Sequence, residues 1–198
     1  MGRPSLKEEK RKEFMPIVAR TFVELGYRRS TTAEIARRCG VQENVLYRVW
    51  PNKKAMFLAA IDFNYEVTSA TWQALLEKAD DKTSPAEVIL AHEAGHHGDW
   101  GLHRLAFAGL NEVDDAEILE SLQNLYGRFV KFIIDVVKEH RERMGMKEGE
   151  GLDVETVAWS FVGLATAADI GRDLKLLGSK KRSKLMGGVG DVVLNGKV

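Results

Sequence analysis

The sequence predicts an all-α protein, and three observations carry that prediction. Proline occurs only at positions 4, 16, 51 and 85, so long stretches lack the residue that breaks helices. No segment of strand length alternates apolar and polar residues. Apolar residues instead recur at helical spacing along most of the chain. At 198 residues there is room for a small module joined to a larger domain. The composition, 44% hydrophobic and 29% charged, is that of an ordinary globular protein. No apolar run approaches the roughly 18 residues that a membrane span needs.

The first helix is marked by Phe14, Ile17, Val18, Phe22 and Leu25, with Gly26 as its closing residue. Pro16 lies inside this pattern and predicts a kinked or frayed start. The opening "MGRPSLKEEKRKEF" is basic but has no apolar core after it, so it does not read as a secretory signal. A lone Cys39 leaves no internal disulfide framework and no cysteine-based zinc site, which suits a reducing cytosol.

Two short helices follow in "STTAEIARRCGVQENVLYRVWPNKKAMF". Thr31 and Glu34 have the spacing of a capping box, in which the hydroxyl takes an orphan N–H and the carboxylate reaches back. Ile35 and Ala36 face inward, Gly40 ends the helix, and Gln42 opens the next, with Val45 and Leu46 behind it. Pro51 stops that helix and Asn52 caps a third. The pattern is a helix-turn-helix, or on spacing alone a plain αα-hairpin. Charge bears on the choice: residues 1–57 carry a net +7 and residues 58–198 a net −7. A basic front end on an acidic body points to a polyanion at the front, unless the cluster is only a solvated face.

The stretch resembles the DNA-binding region of the TetR family of bacterial transcriptional regulators. The resemblance rests on Gly26-Tyr27, the Thr31-Thr32 pair, Ile35-Ala36, Gly40-Val41, Leu46-Tyr47 and the aromatic-Pro-x-Lys run ending in Ala55-Met56. It covers residues 14 to about 57; beyond that it is architectural. It implies a homodimer whose chain has two parts: a homeodomain-like three-helix DNA-binding domain over 1–57 and a helical effector-binding and dimerisation domain over 58–198, about nine helices in all. It also implies a cytoplasmic repressor of operator DNA that a small apolar or amphipathic effector releases, with no enzymatic activity, cofactor or resident metal.

In that arrangement the helix from Gln42 to Val49 enters the major groove. Asn44 can bond adenine, Glu43 can accept from a cytosine amino group, and Val45 can meet a thymine methyl. Glu43 and Asn44 depart from the small or basic residues common at these places in the family. Thr32 stands at a helix N-terminus, and Tyr47, Arg48 and Lys53 match positions that touch the DNA backbone. Arg28, Arg29 and Arg38 would add electrostatic attraction, Arg3 would reach a minor groove, and Trp50 reads as a core plug.

The body reads as a long helix from Asn52 to about Lys78, then helices near 85–95, 101–111, 115–144, 152–177 and 180–195, with "GMKEGEG" as the clearest loop. The first of these can transmit a ligand-driven shift. Gly163, Ala165, Ala167, Ala168 and Gly171, with Phe161, Val162, Leu164 and Leu174, suit a close helix contact, and Leu185, Met186, Val189, Val192 and Val193 recur in the last helix. An internal core would give the same pattern; in the family resemblance these two helices form the dimer interface. "KKRSK" reads as a solvated face.

Four of the five histidines gather in or just after "ILAHEAGHHGDW". His92-Glu93-Ala94-Gly95-His96 fits the H-E-x-x-H pattern of zinc hydrolases. Val88, Ile89, His92 and His96 share a helix face, which would turn both imidazoles inward. A third ligand does not follow, because the metzincin pattern places its glycine one residue later than Gly98 and its third histidine one residue earlier than His103. Three readings stay open: a helix end whose imidazoles bond the last carbonyls, a polar corner of an effector pocket, and a metal site. A pocket would take its walls from Trp72, Trp100, Phe107, Phe129 and Trp159, with His92 and His96 to orient a polar group. The alternative function, from another class, is a zinc-dependent hydrolase using His92, Glu93 and His96; a helical protein-interaction module is a third.

Overall fold

The computed structural model of the protein describes residues 5–80, 82–147 and 149–196. Among these there are nine helices and no strand, as the sequence predicts. They are α1 (Leu6–Arg29), α2 (Thr32–Cys39), α3 (Glu43–Tyr47), α4 (Lys53–Leu76), α5 (Pro85–His96), α6 (His103–Leu110), α7 (Ala116–Met144), α8 (Val154–Asp173) and α9. The last runs as Ser179–Lys184, a π-helical stretch Leu185–Val189, and Gly190–Asn195. Packing divides the chain into two compact units, 1–67 with 100–125 and 68–99 with 126–198, so α4 and α7 contribute to both. The Arg3 arm lies outside the described residues.

In the first unit, α1 starts on a capping box: Ser5 Oγ accepts the Glu8 N–H, and the Ser5 N–H donates back to Glu8. The break expected at Pro16 falls elsewhere. Helical geometry passes through Pro16, and the backbone leaves it at Gly26, where φ is 73°. Phe14, Met15 and Val18 around the proline are buried, which holds the helix despite one lost N–H, whereas a positive φ costs glycine least. Phe22 meets Phe57 edge-on at 5.0 Å, and Tyr27 lies 4.7 Å from the same ring. Trp50 is buried, in keeping with a core plug. Part of the basic charge is cancelled within the unit. Arg28 pairs with Glu112 at 2.6 Å, and Lys54 with Glu117 at 2.6 Å and Asp115 at 3.1 Å.

In the second unit, Ala86, Val137, Val157 and Leu194 form one buried cluster, and Leu164, Ala168 and Met186 another. Burying a side chain such as Leu194 contributes about 2–3 kcal/mol. A Cβ on Gly190 would stand 2.5 Å from Leu90 Cδ1, so a larger residue there would force the Leu90 side chain to move. His140 is fully buried and ties helix ends together: its Nδ1 lies 2.7 Å from Ser84 Oγ and its Nε2 3.2 Å from Asn195 Oδ1. Ser84 also caps α5 through Glu87, in a capping box that orients its hydroxyl.

Candidate nucleic-acid interface

The helix-turn-helix is built from local caps and two inward residues. Thr31 Oγ1 accepts the Glu34 N–H at 3.1 Å, which starts α2. The reciprocal half of the expected capping box is not formed. The Glu34 carboxylate turns instead to Arg37 and Arg38, each at 2.7 Å, and those bonds hold its pKa down at about 2. Gly40 ends α2 with φ 68° and ψ 28°, its N–H bonded to the carbonyls of Ala36 and Arg37. Gln42 then caps α3 by backbone conformation alone. The helix is shorter than Gln42–Val49: it spans Glu43–Tyr47, after which the Val49 and Trp50 N–H groups both bond the Leu46 carbonyl. Asn52 caps α4 as expected, its Oδ1 accepting the Ala55 N–H at 2.8 Å.

Ile35, Ala36 and Leu46 are buried and lock α2 against α3 from inside. That leaves Gln42, Asn44, Tyr47 and Arg48 exposed, and Thr32, Glu43, Val45 and Lys53 half-buried. Thr32 Oγ1 lies 2.5 Å from Glu43 Oε2, and Tyr47 Oη lies 3.1 Å from Thr32 Oγ1. Lys53 Nζ donates to the Tyr27 carbonyl at 3.1 Å and sits 4.4 Å over the Tyr27 ring. Of the arginines expected to add attraction, Arg38 is bound to Glu24 and Glu34, Arg28 to Glu112, and Arg29 to the Leu25 carbonyl. The arrangement presents polar and hydroxyl groups suited to phosphate and base edges on a scaffold rigid from within.

The histidine segment departs from its expected facing at His96. Ala86 and Ile89 of α5 are buried, Glu93 and the cap residue His97 bond to other helices or to each other, and the His96 side chain is 64% exposed, its ring tilted against that of His92 at 4.9 Å between centroids. Glu93 makes its hydrogen bonds elsewhere. It accepts the Trp72 Nε1–H at 2.7 Å and bonds His97 Nδ1 at 2.7 Å, while His97 Nε2 lies 3.1 Å from Asp169 Oδ2. So the His97 imidazole engages carboxylates rather than helix-end carbonyls, and the Glu93 carboxylate is committed to Trp72 and His97. Among the described residues no three His, Cys, Asp or Glu side chains gather as metal ligands. Burial pushes the His97 pKa down, but the hydrogen bonds that its ring donates to Asp169 and Glu93 outweigh it and raise the value to about 9. Burial pushes the Glu93 carboxyl up, and the bonds to His97 and Trp72 bring it below its ordinary value. Arg172 closes the cluster by donating to the His97 carbonyl and to Asp99.

Of the expected pocket aromatics, Trp72 and Phe129 meet, with ring centroids 5.8 Å apart. Phe132, which the sequence reading passed over, stacks on Trp72 at 4.8 Å. Trp159 is 51% exposed beside Asp153, Glu155, Thr156 and Ser160. Trp100 is 78% exposed and belongs to neither cluster. Phe107 lies in the first unit, edge-on to His103 at 5.5 Å.

An all-helical fold with a helix-turn-helix that turns its polar side outward defines a DNA-binding regulator. Residues 19–60 match the family described as bacterial regulatory proteins, tetR family. The match spans the helix-turn-helix, and over that segment the chain is similar to tetR-family regulators. Nucleoid occlusion factor SlmA of Edwardsiella ictaluri is 27% identical over 149 residues, which cover 74% of this chain and 73% of that protein. A tetR-family regulator from Cytophaga hutchinsonii shares the fold with a TM-score of 0.80 at 16% identity, over 98% of each chain. FadR from Bacillus subtilis, solved in complex with stearoyl-CoA, aligns with a TM-score of 0.71 at 17% identity, over 94% of this chain and 99% of its own.

Proposed function

We propose that the protein is a homodimeric repressor that binds near-palindromic operator DNA through α3 and leaves it when a small amphipathic effector enters the second unit. The observation that carries this reading is the α2–α3 surface: Leu46 and Ile35 are fully buried while Asn44, Tyr47 and Arg48 are exposed. Arg48 and Lys53 would grip phosphates, with Thr32 and Tyr47 as hydroxyl donors. Gln42, Asn44, Glu43 and Val45 would read bases. The functional division falls near residue 57, with DNA contact before it and effector binding and dimerisation after it.

Two further features support the finer parts. Trp159, Gly163, Ala167, Ile170 and Leu174 are exposed at helical spacing along α8 and just beyond it, and Val189 and Val192 are exposed on α9. A second copy covering those helices would bury this apolar face and pair two reading heads about a two-fold axis. For the effector, Trp72, Phe129 and Phe132 offer an apolar wall next to the polar groups of Glu93 and His97. That combination suits an amphipathic molecule, the kind of ligand that the Bacillus subtilis relative in fold holds as stearoyl-CoA. A repressor of this kind would work in the cytoplasm.

Selection of bound fragments from the source genome's DNA, with and without chelator, tests the reading. A short near-palindrome recovered under both conditions is the expected result; no enrichment at any salt concentration would overturn it. On the recovered site, Arg48→Ala with Lys53→Ala should weaken binding about a hundredfold and flatten the salt dependence by about two units of slope.

A further inference from the structure

The donor chain on the α2–α3 surface ends on an anion that the protein itself supplies. Tyr47 Oη donates to Thr32 Oγ1 at 3.1 Å, and Thr32 Oγ1 donates to Glu43 Oε2 at 2.5 Å. Both hydroxyl hydrogens are thereby directed, one through the other, toward a carboxylate oxygen, and bonds of this charge-assisted kind are short and strong. A phosphate oxygen is the same sort of acceptor. It cannot take the Thr32 hydrogen while Glu43 holds it, and two anions at such a distance repel.

We propose that Glu43 is an internal stand-in for a DNA phosphate and that its displacement sets sequence discrimination. The inference rests on the proposed function, in which Thr32 and Tyr47 are phosphate donors. In the free protein the carboxylate occupies them; on DNA the phosphate takes its place. The freed side chain stands on the first turn of α3 and needs a new donor. An exocyclic amino group, above all that of cytosine, provides one in the major groove, whereas the guanine and thymine edges present acceptors. A site with the amino group in register accommodates the displaced carboxylate. Any other duplex leaves an anion unpaired beside its phosphates and is bound less well, so the device works by weakening wrong complexes.

The surroundings favour this over a bond that merely braces the turn. The other carboxylates of this surface, Glu24 and Glu34, are neutralised by Arg20, Arg37 and Arg38. Glu43 is bound by a neutral hydroxyl, and among the described residues no cation pairs with it. An acidic residue suits a helix start without any partner, yet this one reaches another helix, 11 residues back, to the hydroxyl at its N-terminus.

A substitution cycle on the full-length protein tests the role. Binding is measured over a salt series to the operator recovered by genomic selection and to a shuffled duplex of the same length. Glu43→Gln should tighten binding to the shuffled duplex about tenfold and steepen its salt slope by about one, so that the ratio of operator to shuffled affinity falls. Combined with Thr32→Val, the same substitution should gain less than about threefold. Equal gains with and without the Thr32 hydroxyl would overturn the inference, because general charge repulsion would then account for them. An unchanged shuffled duplex would overturn it as well. A parent protein that retains no DNA would overturn the proposed function and this role together; one that binds its operator but shows no coupling overturns the role alone. Circular dichroism and thermal unfolding of all four proteins establish that they are folded.

Discussion

Glu43 and Glu93 each bind a side chain of their own chain, and they do so in opposite surroundings. Glu43 is half-buried at the protein surface and holds a neutral hydroxyl. Glu93 has a side chain only 18% exposed, and it holds an imidazole that Asp169, 5% exposed, grips from the other side. At the surface, water and DNA can replace the partner, so the bond is exchangeable. Inside, the two carboxylates share one imidazole away from bulk water, and the charges depend on one another. The same chemical group is thus a replaceable contact in one region and a fixed structural element in the other.

The sharpest way to break this contrast is to remove His97. His97→Ala removes the imidazole that Glu93 and Asp169 share, and it should cost about 3–5 kcal/mol in urea unfolding at fixed protein concentration. A loss of less than about 1 kcal/mol would mean that the centre tolerates exchange as the surface does.

The same centre predicts a pH dependence. The His97 pKa is raised from 6.5 to about 9, so its contribution is full below pH 6.5 and disappears as pH rises through 9. Glu93 is lowered from 4.5, so its contribution is present above pH 4.5 and is lost as pH falls below that. Stability from this cluster should therefore peak between pH 4.5 and 6.5 and fall toward pH 9, with the alkaline fall missing in His97→Ala. Unfolding midpoints across that range, compared between the two proteins, provide the check.

A smaller effect isolates the indole. Trp72→Phe keeps a ring against Phe129 and Phe132 but removes the hydrogen bond to Glu93, for a loss of about 1.5–2 kcal/mol. The smallest effect comes from the neighbour of His97. His96→Ala, at an exposed position, should change stability by less than about 0.5 kcal/mol and leave operator affinity unaltered. Both are read by the same unfolding experiment, and a large effect at His96 would restore weight to the sequence motif over the buried cluster.

The histidine segment shows how far a sequence pattern reaches. Periodicity placed the helix well, since α5 covers Pro85–His96 against an expected 85–95. It missed which side chains carry the buried bonds: His96 is exposed, while Glu93 and His97 hold the contacts with Trp72 and Asp169. At the interface, the residues to be exposed and buried were legible from spacing, because Ile35 and Leu46 have to face each other across a short turn. The bond between Thr32 and Glu43 was not, because one residue can serve as a phosphate donor and the other as a base reader with no sign that they meet.

By itself the sequence determined the helices, their order and most of their ends, because Gly40, Asn52 and the capping residues act on backbone groups a few residues away. It also carried the family pattern of residues 19–60, which is a local pattern of the same kind. Only the tertiary structure decided the long-range partners of the charged side chains. Asp169 lies 72 residues from His97, and Glu112 lies 84 from Arg28. Such pairs form when separate helices pack, and helical periodicity specifies which face of a helix is apolar without specifying which distant charge will stand opposite it.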